Sequence, residues 1–158
     1  MKCKDRKVLS KFISAILIIV LVFHLLWYIN YSKFPKASGY ELGVKNYYKE
    51  FEEYIISYHP PQYPSFTGNY AISDYEEDVQ IIFWPKTLMK KESEIGVTLY
   101  NKENNTSYSF YVDDQFRYLA DKSTLDEPEE EIALKLLEKK EGKLKEYMTV
   151  LLDEIESK

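Results

Sequence analysis

The chain has 158 residues, 30% of them charged, and a formal net charge of −5. Two oppositely charged parts make up this total. Residues 1–39 carry seven Lys/Arg and one Asp, a net charge of +6, whereas residues 40–158 carry fourteen Lys/Arg and twenty-five Asp/Glu, a net charge of −11. The acidic part argues against a nucleic-acid partner, because phosphate binding needs an excess of Lys and Arg. Since the single cysteine is Cys3, the acidic part contains no disulfide.

A basic tail, residues 1–11, precedes an apolar stretch, residues 12–31, that predicts a transmembrane anchor. Its first eighteen residues are apolar apart from Ser14 and His24, and as a helix they rise about 27 Å, close to the thickness of a bilayer core. Aromatic rings at its far end suit the headgroup region. The residues assigned to membrane anchoring are Phe12, Leu17, Val20, Trp27 and Tyr28.

Basic residues around this stretch predict its orientation. Five Lys/Arg precede it and only Lys33 and Lys36 follow closely, so the positive-inside rule places the N-terminus in the cytoplasm and the rest outside the cell membrane. A cleaved signal peptide ending near Ala37-Ser38-Gly39 is the alternative. The length of the apolar run and its aromatic end favour a retained anchor.

A linker, residues 32–38, separates the anchor from an acidic domain, residues 39–158. A capping box formed by Ser38 and Glu41 predicts the start of a helix. Apolar and tyrosine residues then recur at three- and four-residue steps as far as Tyr58. This spacing predicts an amphipathic helix, which Pro60 and Pro61 end.

Short alternating segments predict four or five strands after this helix. They cover residues 66–73, 79–84, 95–100 and 107–112, with 115–120 as a fifth strand after an Asp113-Asp114 turn. Residues 79–84 are almost all apolar, which predicts a central strand buried on both faces. The connections are too short for helical crossovers, so the sheet is expected to be an antiparallel meander.

A long helix is predicted from Asp126, its cap, to about Glu156, with Glu129 closing a second capping box. The apolar stripe keeps its phase across Gly142, which favours one continuous helix over two. At about 45 Å this helix is longer than a short strand of the sheet beneath it. Its second half carries Leu144, Met148, Leu151 and Ile155, and we expect the first helix, a second copy of the chain in a homodimer, or another partner to cover them.

The fold class is therefore α+β, with an N-terminal transmembrane helix, then helix, antiparallel meander and long C-terminal helix. This element order resembles the layout of small cystatin-like and PepSY-like extracytoplasmic domains of bacterial envelope proteins. The resemblance implies a fold and assigns no functional residue.

Residues that carry chemistry are scarce. Two histidines and one cysteine leave no His/Cys zinc set, and the acidic run 74–78 is expected to be a solvated turn. We assign no catalytic, cofactor or metal residue. The best candidate patch for a partner is the segment around Tyr58, His59 and Tyr63, where tyrosine rings adjoin prolines.

The functional prediction is a membrane-anchored extracytoplasmic binding or regulatory module that engages an envelope protein or a cationic peptide. The alternative is a small cell-envelope hydrolase with Asp/Glu as acid and base, which requires two converging carboxylates with perturbed pKa values. A lysine-rich connection, residues 85–93, is a further candidate for contact with anionic headgroups.

Overall fold

The computed structural model describes residues 3–34, 47–87 and 90–157. The described part contains two helices and one six-stranded sheet. Its elements are α1 (Cys3–Tyr31), β1 (Tyr47–Glu50), β2 (Ile55–His59), β3 (Asn69–Asp74), β4 (Val79–Trp84), β5 (Glu94–Asn101), β6 (Thr106–Val112) and α2 (Glu127–Glu156). Every strand pairs antiparallel with its neighbours in the chain, in the order β1 to β6. The α+β class, the meander and the long C-terminal helix are confirmed.

Helix α1 is the candidate membrane span. Val8–Tyr31 is long and apolar enough to cross a bilayer, and none of its most apolar window is buried inside the chain. The side chains of Phe12, Leu17, Val20 and Tyr28 are exposed, and that of Trp27 is half-buried. An apolar helix that stays this exposed differs from the core helix of a soluble domain.

The core lies between α2 and one face of the sheet. Ile56, Ile72, Ile81, Val97 and Phe110 lie side by side on five adjacent strands and are at most 3% exposed. Helix α2 covers them with its buried residues, which are Ala133, Leu137, Leu144, Tyr147, Met148 and Leu151. Burial of each large aliphatic side chain contributes about 1.5–3 kcal/mol.

Helix α2 begins and continues as its sequence predicts. The Asp126 side chain accepts a hydrogen bond from the Glu129 amide at 3.0 Å, and the Glu129 carboxylate accepts one from the Asp126 amide at 3.4 Å. The helix passes through Gly142, around which a Cβ would meet nothing within 4 Å. The prediction of one continuous helix is therefore confirmed.

The predicted helix between the anchor and the sheet is wrong where the structure describes it. Residues 47–50 and 55–59 form strands β1 and β2, while its first part and the Ser38 cap lie outside the described residues. The reason is tertiary: Ile56 and Tyr58 complete the apolar face that α2 covers, and aromatic and β-branched residues suit strands. Strands β1 and β2, which contain tyrosines of the predicted helix, do cover the second half of α2.

Two smaller predictions about the sheet also change. Only an isolated bridge from Val112 to Tyr118 forms where a strand over 115–120 was expected, because the Asp113 side chain accepts bonds from the Gln115 and Arg117 amides and holds a tight loop. Strand β4 is buried on one face and half-exposed on the other, since α2 covers only one side of the sheet.

The connections alternate between two ends of the sheet, because successive strands run in opposite directions. The β2–β3 connection, residues 60–68, and the β4–β5 connection, residues 85–93, share what we call the anchor end. The tight connections 51–54, 75–78 and 102–105 share the turn end.

Candidate functional site

The open face of the sheet, defined as the strand residues that point away from α2, is the first candidate surface. Across five strands the register aligns Ile55, Ser73, Gln80, Thr98 and Ser109. Gln80 and Thr98 are half-buried and Ser109 is exposed. Apart from Ile55, these side chains are polar, so this face presents hydrogen-bonding groups across the middle of the sheet.

A groove of about 370 Å³ lies at the turn end of this face. Its lining residues are Ser73, Asp74, Tyr75, Asp78, Val79, Gln80, Thr98, Tyr100 and Ser107. The Gln80 amide donates to the Ser73 hydroxyl at 3.0 Å, and the Thr98 and Ser109 hydroxyls lie 2.9 Å apart. Hydroxyl groups both donate and accept, so the floor can pair with the backbone of an extended chain.

An aromatic group occupies the anchor end of the same face. Trp84 lies over Gly96, where a Cβ would come within 2.9 Å of the indole ring. The Tyr111 ring is 5.9 Å from the Trp84 ring, and the Lys90 ammonium is 5.8 Å from it. Lys90 also pairs with Glu94 at 2.5 Å, and this hydrogen bond is the main reason that the pKa of Glu94 is lowered.

The rim of the groove contains Asp74, a carboxylate that the fold uses for stability. Asp74 is 3% exposed and accepts hydrogen bonds from the Tyr147 hydroxyl and from the Glu76 and Glu77 amides at 2.8 and 2.9 Å. Burial pushes the pKa of Asp74 upward, but these donors and Lys143 outweigh it and hold the pKa below its ordinary value. Asp74 is therefore an ionised structural group.

A second cavity, of about 530 Å³, brings acidic residues close to the edge of the core. Its lining includes Glu94, Asp113 and Met148. The pKa of Asp113 is lowered, mainly by the Arg117 amide, and the pKa of Glu94 is lowered as well. Both carboxylates are held ionised, whereas a hydrolase needs one raised carboxyl as its acid, so nothing in this cavity favours the hydrolase alternative.

The predicted patch around the prolines divides between core and surface. Tyr58 is fully buried and its hydroxyl donates to Glu154 Oε1 at 2.8 Å. His59 is half-buried, and burial lowers its pKa. Tyr63 is 52% exposed and packs against α1, with its ring 5.5 Å from that of Trp27. Of Tyr58, His59 and Tyr63, Tyr63 alone is exposed.

The predicted partner residues of α2 lie mostly inside the chain. Leu144 and Leu151 are 0% exposed and Met148 is 8% exposed, while Ile155 is half-buried against the core. Strands β1 and β2 widen the sheet enough to cover this half of the helix. These four positions are therefore packing positions, covered by the segment predicted as the first helix and not by a second copy or another partner.

Sequence reasoning missed both the open face and the contacts of α1 with the domain. The alternation along β4 and β5 marks Gln80 and Thr98 as the opposite side from the core, which is the signal for the open face. No protein-family model, curated protein or solved structure matches the chain.

Proposed function

We propose that the chain is a single-pass membrane protein whose extracytoplasmic domain binds an extended, cationic segment of another envelope protein on the open face of its sheet. The observation that carries this proposal is the hydroxyl-lined groove at the turn end. Helix α1 supplies the anchor, and the sheet displays the groove at the end opposite to the anchor contacts.

The chemistry of the groove favours a polypeptide. An extended backbone presents N–H and C=O groups on both sides, and Ser73, Thr98 and Ser107 supply matching hydroxyls. The exposed ring of Tyr75, 77% accessible at the rim, adds a flat apolar contact of the kind enriched in recognition surfaces.

The charge of the domain favours basic side chains on that polypeptide. Residues 40–158 have a net charge of −11, and a field of one sign attracts the opposite sign during encounter. Asp78, which lines the groove, pairs with Lys102 at 2.7 Å, and Glu77 of the same turn pairs with Lys140 of α2 at 2.6 Å. A cationic segment that displaces these lysines gains contacts with the carboxylates that they release.

Peptide binding to the full chain in detergent micelles tests the groove. The probes are a fluorescent peptide of alternating Lys and Thr and a matched peptide of alternating Glu and Thr. We expect only the Lys peptide to bind, with an affinity that falls as salt rises. Thr98→Arg places bulk and positive charge in the groove, and we expect it to weaken binding about tenfold, equivalent to about 1.4 kcal/mol.

Thr149→Arg is the matched control, because Thr149 lies exposed on α2 and carries the same change in size and charge. Thr149→Arg should bind the Lys peptide as tightly as the unchanged chain. Equal binding of both peptides, or equal effects of the two arginine variants, would overturn the proposal.

The orientation needs its own test, motivated by the five basic residues before the span and two after it. External protease on intact cells, or on spheroplasts where a wall intervenes, should remove a C-terminal tag. A tag that survives until lysis would place the domain in the cytoplasm. A shortened, tagged product in the medium would instead establish a cleaved signal peptide.

A further inference from the structure

The connection between β2 and β3 lies against α1. The Phe66 ring meets the Phe23 ring edge-on, with 5.0 Å between centroids. The Tyr63 ring is 5.0 Å from the ring of His24, and the Asn30 side-chain amide donates to the Phe66 carbonyl. Contacts along two turns of α1 fix the height of this connection on the helix.

The contact with Phe23 lies below the outer end of the apolar helix. Phe23 precedes Tyr31, the last residue of α1, by eight positions, or about 12 Å of rise. The span Val8–Tyr31 has 24 residues, about 36 Å, against a hydrocarbon core of about 30 Å. Even if the excess of about 6 Å projects entirely on the domain side, the core boundary falls near Trp27 and the Phe23 contact lies below it.

The composition of this segment suits such a position. Residues 54–73 contain no Asp, Glu, Lys or Arg, in a chain that is 30% charged. Gln62, Tyr63, Pro64 and Ser65 are exposed, so the tip of the connection is neutral and carries a tyrosine ring. Rings of this kind prefer the headgroup region, where one end is apolar and the other wet.

The remaining connections of the sheet carry charges of both signs. The anchor end also contains the β4–β5 connection, where Lys86 and Lys91 are exposed and suited to anionic headgroups. The turn end contains Glu52, Glu53 and Glu76, which are suited to water. Glu92, Asp113 and Asp121 also lie at the anchor end, so the placement rests on the contacts with α1 and not on net charge.

We propose that the β2–β3 connection, residues 60–66, is a second membrane-contacting element: its Gln62–Ser65 tip passes the outer headgroup layer beside α1, and its Tyr63 and Phe66 rings reach the upper acyl chains. The inserted tip and the anchor together fix the orientation of the sheet on the bilayer. This inference rests on the proposal that α1 spans the membrane, so its test must separate the two.

Fluorescent labels in the full chain report the depth of single residues in the bilayer. In a Cys3→Ser background, single cysteines replace Gln62, Val20 or Glu103, and each carries an environment-sensitive dye in nanodiscs of phosphatidylcholine and phosphatidylglycerol. Lipids with a nitroxide near the headgroup should quench the dye at position 62 about threefold more strongly than the dye at position 103 on the turn end. Nitroxides deep in the acyl chains should quench the dye at position 20.

The outcomes distinguish the two proposals. If the dye at position 20 escapes lipid quenching, the anchor fails and the insertion fails with it. If the dye at position 20 is quenched while dyes at positions 62 and 103 respond equally to aqueous iodide, the anchor stands and the insertion is overturned.

A charge placed in the tip gives a second readout. Tyr63→Glu should return the dye at position 62 to water, because a carboxylate is costly in the interfacial layer. Tyr75→Glu, at an exposed tyrosine of the turn end, should leave that dye quenched by lipid. Near-ultraviolet circular dichroism checks that both variants remain folded, and lipid quenching that persists in Tyr63→Glu would contradict insertion.

Discussion

The hydrogen bond between Tyr147 and Asp74 joins α2 to the β3–β4 turn, and its removal is the sharpest test of how the domain is held together. Tyr147 is 1% exposed and Asp74 is 3% exposed, so water does not readily replace either partner. Asp74→Ala removes the acceptor, Tyr147→Phe removes the donor but keeps the ring, and the double variant removes both.

The magnitudes follow from the contacts. The bond from the tyrosine hydroxyl to an ionised carboxylate contributes about 2 kcal/mol, and the two amide bonds to Asp74 contribute about 1 kcal/mol each. We therefore expect Asp74→Ala to cost about 4 kcal/mol and Tyr147→Phe about 2 kcal/mol. The double variant loses the bond between the two side chains only once, so its loss of stability should be about 2 kcal/mol smaller than the sum of the two single losses. This difference is the coupling energy between Tyr147 and Asp74.

Urea unfolding of the full chain in detergent micelles, followed by near-ultraviolet circular dichroism, measures these free energies. Tyr75→Phe, at a ring that is 77% exposed, should cost less than about 0.5 kcal/mol. A coupling energy below about 0.5 kcal/mol would refute the assigned bond.

The pH dependence supplies an independent check. The pKa of Asp74 is lowered in the fold, so its stabilisation is present above the unfolded pKa of about 4 and is lost as pH falls through the folded pKa. Asp74→Ala should therefore differ most from the unchanged chain near neutral pH and converge with it in acid. A constant difference across this range would contradict the ionised assignment.

Further predictions use the same unfolding assay. Leu151→Ala, at a fully buried position, should cost about 2–5 kcal/mol, while Leu152→Ala, 37% exposed, should cost about 1 kcal/mol or less; equal losses would contradict the packing of α2. Gly142→Ala should stabilise the chain by up to about 1 kcal/mol, since a Cβ there meets open space. Gly68→Ala should destabilise it, since a Cβ there overlaps neighbouring side chains and a carbonyl. The opposite signs would contradict the packing described around these two glycines. Burial lowers the pKa of His59, so on acidification the unfolded chain takes up this proton at a higher pH than the folded chain. Stability should therefore fall as pH drops through about 6.5. His59→Gln should flatten this slope of stability against pH, and an unchanged slope would contradict the role of His59.

Elements that depend on local chemistry could be predicted from the sequence. Strand β4 occupies 79–84 as expected, and α2 follows from its capping box at Asp126 and an apolar stripe that keeps its phase across Gly142. Local signals of this kind need no knowledge of the rest of the chain.

The segment ending at Tyr58 could not be predicted from local pattern because tertiary pairing decides its structure. Its aromatic residues fit a helical stripe, but Ile56 falls outside that stripe and is 0% exposed. The alternation of Ile56 and Tyr58 was the stronger signal, since strand pairing with β3 turns both toward α2. The groove escaped prediction for the same reason, since its lining comes from four strands and the β3–β4 turn and forms only when the strands pair.

Phe34 ties the anchor to the domain core in a way that bears on release of the domain by proteolysis. Its side chain is 7% exposed, stacks on the Tyr70 ring at 4.7 Å between centroids, and packs where Gly68 leaves room. Loss of a buried phenylalanine costs about 3–5 kcal/mol, a large share of the stability of an ordinary domain. A protease that cuts between Phe34 and β1 would therefore shed a weakened domain prone to unfolding and degradation, so attachment to α1 also controls how long the domain persists.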